Sequence, residues 1–211
     1  MPDFTNTSAP SVEQVTPAGP LHERIVDRWS PYGFAEYPVQ NDELESLLEG
    51  ARWAASSYDG QLWTYLVANR SAPEEFEQLL SCLVPENQQW AKAAPVLVLS
   101  IVRRRPSKIS PDDLAAVHEL GMSSAHLARE ATARGLSIHQ VLGIFADRAR
   151  DLYGIPEDFE AWAAMAIGYD ERTEKLPETT RPRDRAPRAQ KPARRFAARG
   201  SRALRTAAMA G

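Results

Sequence analysis

Residues 54–67 read AASSYDGQLWTYLV, and they mark the point where a helix gives way to the first strand of the sheet. Apolar residues at helical spacing follow Asn41, the expected N-cap, and predict a helix that ends at the Ser56–Ser57 pair. The run WTYLVA (63–68) then has the aromatic and apolar character of a strand. Two serines, an aspartate, a glycine and a glutamine separate the two elements, which is more polar chemistry than a turn needs. This corner is therefore a candidate cofactor site.

Helix and strand patterns alternate along the rest of the chain, which predicts a sheet flanked by helices. PVLVLSIV (95–102) is a continuous apolar run, typical of a fully buried strand. Further strands are expected in LSIHQVLG (136–143) and AWAAMAIGY (161–169). The other expected helices cover residues 20–29, 73–84, 86–92, 111–134 and 146–153, with Gly135 directly after the long one.

The long helix 111–134 carries a stripe of small residues in place of bulky apolar ones. Small side chains at this spacing allow two helix backbones to approach closely. The helix is therefore expected to pack against another helix, either in the same chain or in a partner. The stripe consists of Gly121, Ser124, Ala125, Ala128 and Ala131.

Length and composition indicate a soluble globular protein with one core or at most two small ones. The chain has 211 residues, of which 43% are apolar and 25% charged. No apolar run is long enough to span a membrane, and the first twenty residues lack the basic and apolar regions of a signal peptide. Cys82, the only cysteine, excludes a disulfide and lies in an apolar helical pattern typical of a core residue. The expected location is the cytoplasm.

Composition divides the chain into a core and two unusual ends. Residues 1–18 are rich in Pro, Ser and Thr and are expected to form a disordered leader before a core over 19–178. Ten basic residues and one acid, Asp184, lie between residues 181 and 205. A basic arm of this kind can bind anions, contact an acidic subunit or stay solvated, and residues 200–211 are expected to be a flexible tail. Nucleic-acid binding is the weaker alternative, because no aromatic platform accompanies the arginines.

Motifs for protein-borne catalysis are missing from the sequence. The four histidines (22, 118, 126 and 139) are spread out and form no HExxH, so no metal site is expected. No GxSxG elbow, GxxxxGK[ST] loop or GxGxxG turn is present. Paired acids such as Asp112–Asp113 lie at helix starts, where capping explains them.

Three polar segments between apolar elements remain: RWSPYGF (28–34), ASSYDGQLW (55–63) and HQVLG (139–143). Each alone has an ordinary structural explanation. Arg28 suits the C-terminus of a helix, the serine pair suits a turn, and Gly143 suits a helix entry. In this order, however, the segments resemble the nitroreductase family of FMN-dependent oxidoreductases, over about residues 20–196. The first matches the family type R-R-S-x-R-x-F and the second the type A-P-S-S-x-N-x-Q-P-W, while KAAPVLVLSIV, GIPEDFEAWAAMAIGY and RAPRAQKP resemble its later strands and tail.

The resemblance implies an α+β, three-layer fold with a central, mostly antiparallel sheet flanked by helices. It also implies an intertwined homodimer, with an arm over 179–199 that reaches the partner and completes the phosphate site. FMN would take hydride from NAD(P)H and pass electrons to a small aromatic acceptor, a nitro or quinone compound, in a ping-pong cycle. The flavin carries the chemistry, so no catalytic residue is named. The flavin contacts implied by the resemblance are Arg28, Trp29, Ser30, Tyr32, Ala55, Ser56, Ser57, Asp59, Gln61, Val141, Leu142, Gly143, Arg188 and Lys191, with Ser56 and Ser57 coming from the other subunit.

Several letters depart from the family pattern, and those that change charge make the pocket less cationic. Tyr32 stands where a second cation is usual, Asp59 replaces an asparagine, and Thr64 occupies a position that is often basic. A cation near a reduced flavin stabilises its negative charge, whereas a tyrosine offers one neutral hydrogen bond. We therefore expect a lower flavin reduction potential, weaker FMN binding, or both. Two alternatives follow: an enzyme dedicated to one specialised substrate, or a catalytically degenerate flavin-fold binding protein.

Overall fold

A computed structural model describes residues 17, 19–104, 114–171, 175–178, 180–184 and 186 of the chain. Helices and strands alternate in the order expected from the sequence. The helices are α1 (Glu23–Val26), α2 (Asn41–Arg52), α3 (Pro73–Leu80), α4 (Pro85–Ala91), α5 (Leu114–Ala133), α6 (Ala146–Tyr153) and α7 (Arg181–Asp184). The strands are β1 (Trp63–Asn69), β2 (Val96–Arg103), β3 (Ser137–Val141) and β4 (Phe159–Gly168).

The four strands form one sheet in the order β1-β2-β4-β3, and every neighbouring pair is antiparallel. Alternate residues of β2 enter two different cores, as the period of two along a strand requires. Leu97 and Leu99 face a core that α3, α4 and α6 complete, whereas Val96 and Val98 face a core built with α2 and α5. The expected α+β class and helix-flanked antiparallel sheet are therefore confirmed.

α2 and α5 pack closely within the chain. A Cβ atom on Gly50 of α2 would lie 3.0 Å from Glu130 Cβ of α5, which is tight for two helix surfaces. Three residues of the small stripe, Ser124, Ala128 and Ala131, are buried on α5. Gly121 and Ala125 are exposed instead. The expected close helix packing is thus partly internal, and the rest of the stripe faces outward.

The segment before α2 adds an extended connection to the end of β4. The Ala35 N–H donates to the Tyr169 carbonyl at 2.8 Å, and the Glu171 N–H donates to the Gly33 carbonyl at 3.2 Å. Phe34, which lies between them in sequence, is 5% exposed and forms an isolated bridge with Asp170. The first polar segment is therefore fastened to the central sheet.

The expected helix over 20–29 was too long. α1 is a single turn whose N-cap His22 accepts from the Arg24 N–H, and the chain is already extended at the first polar segment. The α2 N-cap is Gln40 and not Asn41, since the Gln40 N–H donates to the Glu43 carboxylate at 2.8 Å. α2 also ends earlier than expected, at Arg52, and α3 ends at Leu80.

Other boundary predictions hold within the described residues. Gly135 follows α5 with a φ of 76°, the left-handed conformation typical of a residue after a helix. Among the described residues, none of the helices combines the length and apolar character needed to cross a membrane. The proposed leader lies almost wholly outside the described residues, as do Arg188, Lys191 and the tail 200–211.

Candidate functional site

Arg28 and Ser30 form one polar unit at the start of the first segment. The Arg28 guanidinium donates to Ser30 Oγ at 3.0 Å, and both residues are half-buried. A guanidinium with a hydroxyl held beside it provides charge and donors suited to a phosphate group. The pair is therefore a candidate anion site, and its role in holding a phosphate stays a prediction.

The peptide group between Pro31 and Tyr32 makes hydrogen bonds through both its carbonyl and its N–H. His139 Nδ1 of β3 lies 2.8 Å from the Pro31 carbonyl oxygen. The Tyr32 N–H donates to Asp184 Oδ1 of α7 at 2.9 Å. The first polar segment, the third one and the beginning of the basic stretch thus meet at this peptide.

Three aromatic rings surround this junction. The His139 ring stacks on Trp90 of α4 with centroids 4.2 Å apart, and the Tyr32 ring meets His139 edge-on at 4.6 Å. Burial lowers the pKa of His139, and the nearby Arg28 charge adds to this, against opposing effects from Pro31 and Asp184. The position expected from family likeness to carry a cation is therefore occupied by a neutral aromatic cluster.

The third segment presents backbone N–H groups beside a close-packed glycine. The Gly143 carbonyl accepts from the Val84 N–H at 3.0 Å and from Asn87 Nδ2 at 3.1 Å. A Cβ on Gly143 would lie 2.6 Å from Asn87 Nδ2 and 2.9 Å from Val84 Cγ2, so a side chain does not fit there without movement. Within the described part of the chain, the N–H groups of Leu142 and Gly143 donate no hydrogen bond. These two donors can serve a bound molecule.

The corner 55–61 is backbone-strained and faces outward. Tyr58, Asp59 and Gln61 have φ values of 53°, 55° and 43°, a conformation that costs non-glycine residues on the order of 1 kcal/mol or more each. The Ser57 N–H donates to the buried Glu119 carboxylate of α5 at 2.6 Å, and Gln61 Nε2 donates to the Arg52 carbonyl at 3.1 Å. Contacts with α2 and α5 therefore hold the corner in shape.

The structure thus brings the first and third predicted segments together and anchors the second one elsewhere. Half-buried predicted residues are Arg28, Trp29, Ser30, Tyr32, Ser56, Val141 and Gly143. Exposed predicted residues are Ala55, Ser57, Asp59, Gln61 and Leu142. Arg188 and Lys191 lie outside the described residues, so their predicted role stays a prediction.

Sequence reasoning missed several residues around the junction. Trp90 and Asn87 read as ordinary members of a short helix, and Glu119 as one position of the long helix. Asp184 could have been singled out, because it is the only acid among ten basic residues. His139 lay within a quoted segment, but nothing in the sequence placed its ring against Pro31.

A buried acid close to the junction gives a pH-dependent prediction. Burial raises the pKa of Asp170 to about 6, the Asp184 charge adds to the rise and a Ser137 hydrogen bond opposes it. From the ordinary value of 3.8 to about 6, the folded state binds a proton that the unfolded state has lost, so the free energy of unfolding falls as pH rises. Asp170→Asn should lack this fall and be more stable than the wild type above pH 6. Urea unfolding at several pH values measures it, with exposed Glu36→Gln as control; parallel wild-type and Asp170→Asn profiles would contradict the prediction.

Comparison with known proteins places this arrangement in a family. Residues 25–169 match the family model described as the nitroreductase family. A solved structure described as an oxidoreductase containing FMN is 28% identical, with a TM-score of 0.81 over 92% of this chain and 98% of the other. A nitroreductase family protein from Streptococcus pneumoniae TIGR4 is 16% identical, with a TM-score of 0.68 over 84% of this chain and 98% of the other. One from Clostridium novyi NT is 14% identical, with a TM-score of 0.62 over 74% and 87%.

The last two likenesses show a shared fold only. A comparison with curated proteins finds no match. The family match covers most of the described core, including the first segment, the corner and the third segment. The chain therefore belongs to the nitroreductase family.

Proposed function

We propose that the chain is an FMN-dependent oxidoreductase that takes hydride from NAD(P)H and delivers electrons to a small aromatic nitro or quinone compound. The observation that carries this proposal is the junction of the first and third segments through His139. This junction connects the segment that carries the Arg28–Ser30 pair to the segment that carries the N–H donors of Leu142 and Gly143. The similar solved structure described as containing FMN supports the choice of cofactor.

The Arg28–Ser30 pair suits the FMN phosphate. A phosphate dianion favours a guanidinium, which can donate two parallel hydrogen bonds, and the neighbouring hydroxyl adds a further donor. Arg188 and Lys191 of the basic arm are proposed to complete the charge around the phosphate. Both lie in the basic stretch 181–205, and Asp184 near the start of that stretch contacts the first segment.

The third segment suits the polar edge of the flavin ring. The N–H groups of Leu142 and Gly143 are donors without an acceptor among the described residues, and Val141 adjoins them at the end of β3. Gly143 carries no side chain because Asn87 and Val84 fill the space that a Cβ would occupy, and this packing fixes the backbone that bears the two donors. Asn87, whose amide is fixed by the Gly143 carbonyl, would lie beside the same edge.

We propose a homodimer in which the corner 55–61 serves the partner's site. The corner is held against its own α2 and α5 while its outer residues are exposed. Gly121 and Ala125 of α5 are exposed, and their small size would allow a helix of the partner to approach closely. Two copies would then each present Ser56 and Ser57 across the interface, and the basic arm would extend over the partner.

Bound FMN would supply the hydride acceptor and the two-electron store, while the protein supplies position and electrostatic field. Arg28 and Ser30 would bind the FMN phosphate, and the amides of Leu142 and Gly143 would orient the flavin ring. The aromatic cluster of Tyr32, Trp90 and His139 would exclude water from its own side of the site. Trp90 and Tyr32 add no positive charge, which favours the lower reduction potential expected from the sequence.

The test is the visible spectrum and size of the purified protein. The expected result is flavin absorbance in a species of twice the chain mass, measured by sedimentation. Bleaching on anaerobic addition of NADPH or NADH would demonstrate hydride transfer and define the donor. A colourless protein that takes up no added FMN would contradict the proposal.

The second candidate is a family member that binds FMN without efficient turnover. The neutral aromatic cluster around Tyr32 favours it, because a flavin there would gain little charge stabilisation. The same experiment separates the two: flavin absorbance without bleaching by either nicotinamide would support the second candidate. Bleaching only in the presence of one added aromatic compound would instead indicate an enzyme dedicated to that substrate.

A further inference from the structure

One peptide group in this protein is gripped from two sides by buried ionisable residues. The peptide between Pro31 and Tyr32 has its carbonyl 2.8 Å from His139 Nδ1 and its N–H 2.9 Å from Asp184 Oδ1. The C=O and N–H of a trans peptide point in opposite directions, so the two side chains hold it at opposite edges. Their exposed fractions are 9% for His139 and 2% for Asp184.

The two residues come from different parts of the flavin site. His139 lies on β3, two residues before Val141, and Asp184 closes α7 at the start of the basic stretch. This peptide begins at Pro31, the residue that follows Ser30. A movement of this one peptide would therefore change the position of the Arg28–Ser30 pair relative to the N–H groups of the third segment.

The protonation of His139 is defined by its partner. A carbonyl oxygen only accepts, so Nδ1 carries the proton in the hydrogen bond to Pro31. Burial lowers the pKa of the ring, and Arg28 lowers it further, while Asp184 opposes them. The neutral ring then stacks on Trp90 and meets Tyr32 edge-on.

An imidazole is a costly choice for this buried position. A phenylalanine could keep the ring contacts without taking a polar ring nitrogen out of water. Among the described residues, the hydrogen bond that the imidazole adds is the one to the Pro31 carbonyl. The contribution of His139 is therefore to fix the position of the Pro31 carbonyl.

We propose that His139 and Asp184 are positioning residues that align the phosphate end of the FMN site with its ring end through the Pro31–Tyr32 peptide. This inference rests on the proposed function. Neither residue needs to touch the cofactor. His139 sets the carbonyl edge of the peptide, and Asp184 sets its N–H edge.

The test compares His139→Phe with His139→Asn. The phenylalanine keeps an aromatic ring against Trp90 but has no donor, whereas the asparagine amide can donate to the Pro31 carbonyl. FMN is titrated into the apoprotein by flavin fluorescence, and thermal unfolding is recorded without FMN. We expect His139→Phe to bind FMN about tenfold more weakly, equivalent to about 1.4 kcal/mol. His139→Asn should recover most of the affinity despite losing the ring.

Hydrogen exchange of the Tyr32 amide in the apoprotein provides a measurement without cofactor. We expect faster exchange in His139→Phe than in the wild type, because the other edge of the peptide is released. Asp184→Leu, which removes the acceptor, should also speed this exchange, and Asp184→Asn, which keeps an amide oxygen, should restore protection.

The outcomes distinguish this inference from the proposed function. If His139→Phe lowers the unfolding temperature but binds FMN like the wild type, or if both His139 variants weaken binding equally, the inference is wrong. Wild-type apoprotein that binds no FMN would overturn the proposed function. Hydrogen exchange of the Tyr32 amide would then test whether His139 holds the Pro31–Tyr32 peptide in place. Unchanged exchange in His139→Phe would contradict that role.

Discussion

Arg28→Ala is expected to purify without FMN. The substitution removes the guanidinium that Ser30 holds at 3.0 Å, and with it the fixed positive charge of the first segment. Hydrogen bonds that involve a charged group contribute about 1.5–3 kcal/mol, so FMN affinity should fall roughly 10- to 100-fold. The ratio of flavin to protein after gel filtration, together with titration of added FMN, measures the loss.

Two further variants make the Arg28 result specific. Arg70→Ala removes a different exposed cation, in the turn after β1, and should leave FMN content unchanged. Arg28→Lys keeps the charge but not the planar fork, so its affinity should lie between the wild type and Arg28→Ala. Stoichiometric FMN in purified Arg28→Ala would show that the phosphate lies elsewhere.

Gly168→Ala is expected to destabilise the fold and, at the same time, to displace the first polar segment from the sheet. A Cβ at this buried end of β4 would lie 2.6 and 2.8 Å from Pro95 ring carbons and 3.0 Å from Phe34. A proline ring cannot rotate away, so the strand or the Phe34 segment must shift. Overpacking of this kind costs about 1–3 kcal/mol of unfolding free energy. Chemical denaturation measures the loss, and FMN titration should show weaker binding because Phe34 belongs to the first segment.

Gly19→Ala is the matched control, since a methyl group added at Gly19 meets nothing within 4 Å. It should leave both stability and FMN binding close to those of the wild type. If Gly168→Ala matched it in both measurements, the packing between β4 and the first segment would be looser than the structure indicates.

The sheet and most helices were predictable because their signals are local. The continuous apolar run of β2 predicted a strand buried on both faces, and the strand is buried in this way. α6 begins and ends at the residues that its sequence pattern predicted. α1 was predicted too long: it ends at Val26, and the chain beyond it runs to a pairing of Gly33 and Ala35 with the end of β4. Such a contact joins residues about 135 positions apart, and no local pattern reports it.

The candidate site was predictable as three sequence segments, whereas the residues that pack around those segments were not. Arg28, Ser30 and Gly143 were identified because the ordered motifs resemble a family. Trp90, Asn87 and Glu119 were not, because each looks like an ordinary helix residue until the fold brings it beside a motif. The lack of a cation at position 32 was visible in the sequence, and the structure adds that Trp90 and His139, a histidine whose pKa is lowered by burial, lie against Tyr32.

The left-handed residues of the corner also bear on how this protein can change. Glycine or asparagine at positions 58, 59 and 61 would adopt the same backbone with less strain, so a sequence optimised for folding alone would use them. Tyr58 and Gln61 are therefore side chains that oppose the conformational preference of their positions. The corner is a place where stability can be increased by substitution, and where each such gain would remove a group that a neighbouring molecule could recognise.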